Sequence, residues 1–240
     1  MNIMKLIQEK RDNNAANEGV TIAFVGDSVT QGCFEIYKDQ AGNIETVFDK
    51  NCTYHRYLDR ILTILYPNVP INIINAGISG GNAHHGLGRL ERDVIRHQPD
   101  LTVVCFGLND SGAGMEGIGQ YAEALEHIFE NLKAAGSEII FMTPNMMNTY
   151  VSSSVTDEDM RSVAESKQEI QNQGILEAYL NAAVAVCDKY DIKVCDCYAK
   201  WKRLAQNGVD TTNLLSNKIN HPTREMNWLF AFSLLDVMMD

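Results

Sequence analysis

The sequence predicts an α/β fold: a three-layer α/β/α sandwich around a five-stranded parallel sheet. Three observations predict it. Five short apolar segments recur along the chain: Val20–Val25 (VTIAFV), Ile71–Asn75 (INIIN), Leu101–Phe106 (LTVVCF), Glu138–Met142 (EIIFM) and Ile192–Cys197 (IKVCDC). Helical patterns fill the gaps at about Tyr54–Leu65, Leu87–His97, Ile118–Ala135 and Ile175–Tyr190, and a last one runs over Arg224–Met239. Strand and helix therefore alternate, which calls for right-handed crossovers and helices on both sheet faces. At 240 residues with 45% hydrophobic and 21% charged content, the chain has material for one substantial core. One domain over 1–240 is expected.

Each element has its own signal. The middle three apolar segments are apolar almost throughout, as suits strands covered on both faces. Residues 34–48 (FEIYK-DQAGN-IETVF) are two alternating runs around a polar turn, the mark of a hairpin insertion. Residues 144–174 form a polar stretch with SSSVTDED and then a weak helix. Both insertions follow carboxyl ends of strands, where open α/β sheets hold ligands. Residues 1–18 read as a polar, partly helical lead-in, with no apolar core of a secretory signal, so a cytoplasmic location is expected. No run approaches the roughly 18 apolar residues of a membrane span. The net charge of −11 repels phosphate backbones and anionic surfaces, against a nucleic-acid or membrane partner. The six cysteines (Cys33, Cys52, Cys105, Cys187, Cys195, Cys197) lack metal-type spacing and read as reduced, buried thiols. No metal or cofactor is expected: GDSVTQG is not a glycine-rich phosphate cradle, and adjacent His84 and His85 face apart on a helix.

Four residues at strand ends carry the chemistry. Gly26-Asp27-Ser28 closes the first strand, where a serine is either a helix cap or an exposed nucleophile near main-chain N–H groups. Asn75-Ala-Gly-Ile-Ser-Gly80 closes the second, and Gly107-Leu-Asn-Asp110 the third, where Asn109 is either a turn residue or an amide donor. His221-Pro-Thr precedes the last helix and offers a base near neutral pH. Singly, each reads as an ordinary turn or cap. Together they supply what acyl transfer needs: a nucleophile, oxyanion donors and a base at one sheet edge.

In that order and context the chain resembles the SGNH/GDSL hydrolases. INAGISGG, GLGRLERDVIRHQPDLTVVCFGLNDSG and NHPT all sit in register, and the resemblance spans Thr21 to about Phe232. It implies the SGNH hydrolase fold, with Ser28 as nucleophile and His221 as base. It also implies an oxyanion hole from the Ser28 N–H, the Gly80 N–H and the Asn109 side chain. Gly80 rather than Gly77 follows the family's S-G pair. Asp27 is expected to be structural.

One position departs from the family. The aspartate that orients the histidine usually lies three residues before it, and here that residue is Lys218, which cannot accept the imidazole proton. A main-chain carbonyl near Asn217 is the expected replacement, making a Ser–His dyad. The alternatives are a relocated carboxylate (Asp210 or Asp196) or a protein that binds without turnover.

The resemblance leaves the ester open. The acids Glu35, Asp39, Glu45 and Asp49 on the hairpin, with Asp157, Glu158 and Asp159 on the second insertion, read either as solvated surface or as an acidic surround. An acidic surround favours a neutral, polar substrate such as an acetylated carbohydrate. Met146, Met147 and Tyr150 are candidates for a small acyl pocket, or core. Lipase, lysophospholipase or thioesterase action on longer chains is the alternative within the class. A non-catalytic ligand-binding protein, or a flavodoxin-like nucleotide binder, is the alternative outside it.

Overall fold

The computed structural model describes residues 1–240. In chain order the elements are α1 (Asn2–Asp12), β1 (Val20–Gly26), α2 (Ser28–Gln31), β2 (Cys33–Lys38), β3 (Ile44–Phe48) and α3 (Tyr54–Leu65). β4 (Ile71–Gly77), α4 (Ala83–Asp93), β5 (Leu101–Cys105), α5 (Ile118–Ala134) and β6 (Glu138–Met142) follow. The chain closes with α6 (Glu158–Asn172), α7 (Ile175–Tyr190), β7 (Lys193–Cys195), α8 (Cys197–Gln206) and α9 (Asn227–Met239). No helix is long and apolar enough to cross a membrane.

The five-stranded sheet runs β4-β1-β5-β6-β7, parallel throughout. Alternation along the strands builds two cores. Ile22, Phe24, Val103, Cys105, Ile140 and Met142 face a cluster of 33 buried residues under α1, α3, α8 and α9. Ala23, Val25, Val104, Phe106, Ile139 and Phe141 face a cluster of 21 under α4, α5 and α7. The order places β1 at the point where connections leave in opposite directions, the place where such sheets open a crevice at their carboxyl ends.

The hairpin is present as β2 and β3, paired antiparallel. Several expectations need correction. The segment Ile71–Asn75 is an edge strand and only partly buried, not a strand fully covered on both faces. Ile71 and Ile73 pack against the first cluster and Ile74 against the second, while Asn72 and Asn75 reach out to side-chain and backbone partners. The amino-terminal residues are helical as expected but packed rather than a loose lead-in: Ile3, Met4 and Ile7 of α1 sit in the core, and the Glu138 carboxylate accepts the N–H groups of Asn2 and Ile3 at 3.0 and 2.9 Å. The last strand stops at Cys195, because the Asp196 side chain accepts from the Ala199 N–H and starts α8, whose Trp201 is fully buried. Cys195 and Cys197 thus lie on different elements, yet their sulfurs are 3.7 Å apart and buried. α4 begins at Ala83 rather than Leu87, capped by Asn82, which accepts from the His85 N–H at 2.9 Å.

Candidate active site

Ser28 is the first residue of α2, so its N–H has no acceptor within the helix. Asp27 caps that helix, its carboxylate accepting the Val29 N–H at 2.9 Å. Burial, with Asp110 nearby, pushes the Asp27 carboxyl up to about 7. It points away from proton transfer and into the helix start, as a structural residue does.

His221 arrives from 193 residues away and places Nε2 2.9 Å from the Ser28 hydroxyl oxygen. Its other nitrogen, Nδ1, lies 3.0 Å from the Phe34 carbonyl. A carbonyl only accepts, so Nδ1 carries the proton and Nε2 is free to accept from Ser28. Ser28 is 5% exposed and His221 2%. Burial pushes the imidazole down to about 4, opposed by the Phe34 carbonyl and the Glu35 charge. The imidazole is therefore neutral at pH 7, ready to take a proton.

The orienting carbonyl is a correction to the sequence reading. It is Phe34 of β2, not a carbonyl near Asn217. The Asn217 side chain instead accepts the N–H groups of Ile219, Asn220 and His221, each at 3.0 Å, and so folds the turn that delivers the histidine. Lys218 sits at φ +57° with its ammonium on the Asn213 carbonyl at 3.0 Å. Neither relocated carboxylate reaches the imidazole. Asp210 accepts from the Tyr150 hydroxyl at 2.7 Å, and Asp196 from the Thr143 hydroxyl at 2.9 Å.

The two loops expected to hold oxyanion donors meet. Asn109 Nδ2 donates to the Gly81 carbonyl at 2.8 Å, tying the end of β5 to the turn after β4. An amide nitrogen has two hydrogens, so a second remains for a ligand. Gly80 is exposed at φ +73°, a left-handed conformation that favours glycine, with open space where a Cβ would be. Gly77 has a different task. A Cβ there would lie 2.2 Å from the Gln31 nitrogen, so glycine lets β4 approach α2. Gln31 in turn accepts from both the N–H and hydroxyl of Ser79, at 2.6 and 2.8 Å, fixing the Gly80 turn against the helix of Ser28.

Two features escaped the sequence. Lys167 of α6 donates to the Leu108 carbonyl at 3.3 Å, beside Asn109, and burial lowers its pKa while Asp27 and Asp110 raise it. Nothing in its exposed, charged helix signalled this. Four of the acids around the site also sit in ion pairs, Glu35 and Asp49 with Arg224 and Asp157 and Asp159 with Lys38, while Asp39 accepts from Asn43. Each cation is shared by two carboxylates, so the surround stays acidic. Met146 and Met147 pack in the core under the sheet, and Tyr150 lies outward on Asp210, so none of them supports an acyl pocket. A cleft of about 510 Å³ opens instead between the hairpin, residues 154–160 and the turn at 216–219.

A serine hydroxyl in hydrogen-bond contact with an oriented neutral imidazole is an arrangement that can serve acyl transfer. The model of the GDSL-like lipase/acylhydrolase family matches residues 24–229. The chain belongs to that family. Among curated relatives of this family member, an acetylxylan esterase from Geobacillus stearothermophilus is 32% identical over 92 residues, 38% of this chain and 40% of that one. Thioesterase 1/protease 1/lysophospholipase L1 from Escherichia coli (strain K12) is 33% identical over 79 residues, 33% of this chain and 38% of that one. The matches thus span about two fifths of those relatives. Among solved structures, an acetylxylan esterase from Geobacillus stearothermophilus superposes with a TM-score of 0.66 at 19% identity, covering 92% of this chain and 94% of that one. An alpha/beta hydrolase from the metagenome of Lake Arreo, Spain, gives 0.67 at 18%, covering 92% and 95%. At these identities they establish the shared fold, the five-stranded SGNH hydrolase architecture.

Proposed function

We propose that the protein is a serine ester hydrolase working through a Ser28–His221 dyad. The observation that carries this reading is the continuous chain Ser28 hydroxyl, His221 imidazole, Phe34 carbonyl at 2.9 and 3.0 Å. His221 Nε2 takes the Ser28 proton as the oxygen attacks the ester carbonyl. The negative charge that develops is met by the N–H groups of Ser28 and Gly80 and by the Asn109 amide. The proton on Nε2 passes to the leaving alcohol, giving an acyl-serine. Water, deprotonated by His221, then releases the acid and restores Ser28. The Phe34 carbonyl does the orienting usually given to a carboxylate, without adding its charge.

The substrate we propose is a short-acyl, acetyl-type ester of a carbohydrate or similar small polar alcohol. Ser28 is nearly closed off, which favours a small acyl group. The cleft beside the hairpin, lined at Glu35 and Ser216 next to the Phe34 carbonyl and not by Ser28 itself, offers Ser154, Thr156 and Asn217, with Tyr37 exposed at its wall, to a neutral hydroxylated leaving group. One relative carries an acetylxylan esterase name, in line with this. Action on longer acyl chains is the second reading, favoured by the thioesterase and lysophospholipase relative. Hydrolysis of p-nitrophenyl esters from acetyl to octanoyl, comparing wild type with Ser28→Ala, separates them. Serine-dependent turnover falling with chain length supports the first. A rise with chain length supports the second. Turnover absent from every ester leaves a ligand-binding protein on this scaffold.

A further inference from the structure

The carbonyl that holds His221 comes from an insertion, so something must hold the insertion. β2 and β3 pair Cys33 with Phe48 and then Ile36 with Thr46, so the register slips between them. Phe34 and Glu35 face a single residue of β3, which is a β-bulge, a feature that redirects groups beside active sites. The bulge takes the Phe34 carbonyl out of the ladder and presents it to two donors from the histidine loop. His221 Nδ1 reaches it at 3.0 Å and the Ser216 hydroxyl at 2.9 Å.

Arg224, three residues beyond His221, grips both sides of this bulge. Its Nη1 and Nη2 donate to the two Glu35 oxygens at 2.6 and 3.0 Å, and its Nε to Asp49 at 3.1 Å. Its guanidinium also lies 4.4 Å above the Phe34 ring. A two-pronged pair of this kind fixes direction as well as distance, unlike a single-point lysine contact. The far end of the hairpin is tied separately, by Lys38 to Asp157 and Asp159 at 3.0 and 2.6 Å.

We propose that Arg224 is a positioning residue: through Glu35, Asp49 and the Phe34 ring it holds the Phe34 carbonyl on His221 Nδ1, replacing the orienting role of the absent triad acid. This rests on the reading of Ser28 and His221 as nucleophile and base. Freed of Arg224, the bulge moves off Nδ1, whose remaining neighbour is the Cys33 thiol at 3.6 Å, a weak acceptor. The charge acting on the imidazole is that of Glu35, which Arg224 pairs. Cys33 is neutral because burial pushes its thiol up to about 11.

The test is ester hydrolysis against pH for wild type, Ser28→Ala, Arg224→Gln, Arg224→Lys, Glu35→Gln and the Glu35→Gln/Arg224→Gln double variant. The expected result is a roughly tenfold to hundredfold fall in kcat for Arg224→Gln, the size of a small misplacement of a reacting group. KM stays near wild type, and the acid limb of the profile rises as the imidazole rehydrates. Arg224→Lys is intermediate. Glu35→Gln falls similarly, and the double variant is no worse than either single one, because both break the same clamp. Wild-type kcat and an unmoved acid limb in Arg224→Gln, with Ser28→Ala inactive, overturn the clamp and leave the dyad standing. Full turnover in Ser28→Ala overturns both. If Arg224→Gln does not fold, Glu35→Gln decides by the fall in kcat at unchanged KM, because loss of the Glu35 charge itself lowers the imidazole pKa and moves the acid limb.

Discussion

At pH 5.5 an exposed histidine with the ordinary value of 6.5 is about nine-tenths protonated, and a base in that state leaves about a tenth of full activity. Burial puts His221 at about 4 instead, so at the same pH nearly all of it is neutral. The perturbation is therefore pH alone. The assay is the initial rate of p-nitrophenyl acetate hydrolysis over about pH 3.5 to 9, each sample jumped from a neutral stock so that slow unfolding does not intrude. The kcat/KM plateau is expected to extend below pH 5.5, with its acid midpoint near 4. The displacement from 6.5 to about 4 corresponds to roughly 3 kcal/mol against protonating the imidazole in the fold. That quantity also appears in stability. The unfolded chain takes up the His221 and His55 protons below about 6.5, whereas the folded chain, with both at about 4, does not. Their contribution is full above pH 6.5 and is lost as the pH falls toward 4. Asp27 runs the other way: its value of about 7 lets the fold keep a proton that the unfolded chain has released, which offsets part of the loss. An acid midpoint at 6.5 or above would refute the reasoning, since it would mean that His221 is hydrated or acts on a carboxylate.

Other substitutions probe the parts separately. Asn109→Ala removes a proposed oxyanion donor and is expected to lower kcat by roughly 10²–10³-fold with little change in KM, read from steady-state kinetics. Asp210→Ala and Asp196→Ala are expected to keep most of the activity, because their carboxylates are engaged with Tyr150 and Thr143. Of the two, Asp196→Ala also loses the α8 cap and about 1 kcal/mol of stability in urea unfolding. Gly77→Ala forces a Cβ against the Gln31 backbone and is expected to cost about 1–3 kcal/mol by the same measurement.

The strand ends were legible because chemistry there is local: a serine, a glycine turn, an asparagine and a His-Pro each follow their own strand or loop. The paired α3 and α7 boundaries were legible too, since their apolar stripes run the full helix. Phe34 was not, because a main-chain carbonyl has no residue signature and its partner is 187 positions away. Arg224 was read as the start of the last helix, whereas its side chain is spent on Glu35 and Asp49, and the helix begins at Asn227. Counting acids gave the sign of the charge around the site, but which four of them pair with Arg224 and Lys38 is a tertiary fact. The helical character of the first residues was legible, but their polar tone hid the burial of α1, because its core contacts, Ile3, Met4 and Ile7, cluster near the start.

The central claim is that Ser28 carries the acyl group. Rapid quenching in acid during turnover of an acetyl ester, followed by peptide mass spectrometry, tests it most directly. The account predicts one acetyl group on the peptide containing Ser28, absent in Ser28→Ala and absent in His221→Ala. An unmodified Ser28 peptide during undiminished turnover, or equal turnover in Ser28→Ala, would contradict it.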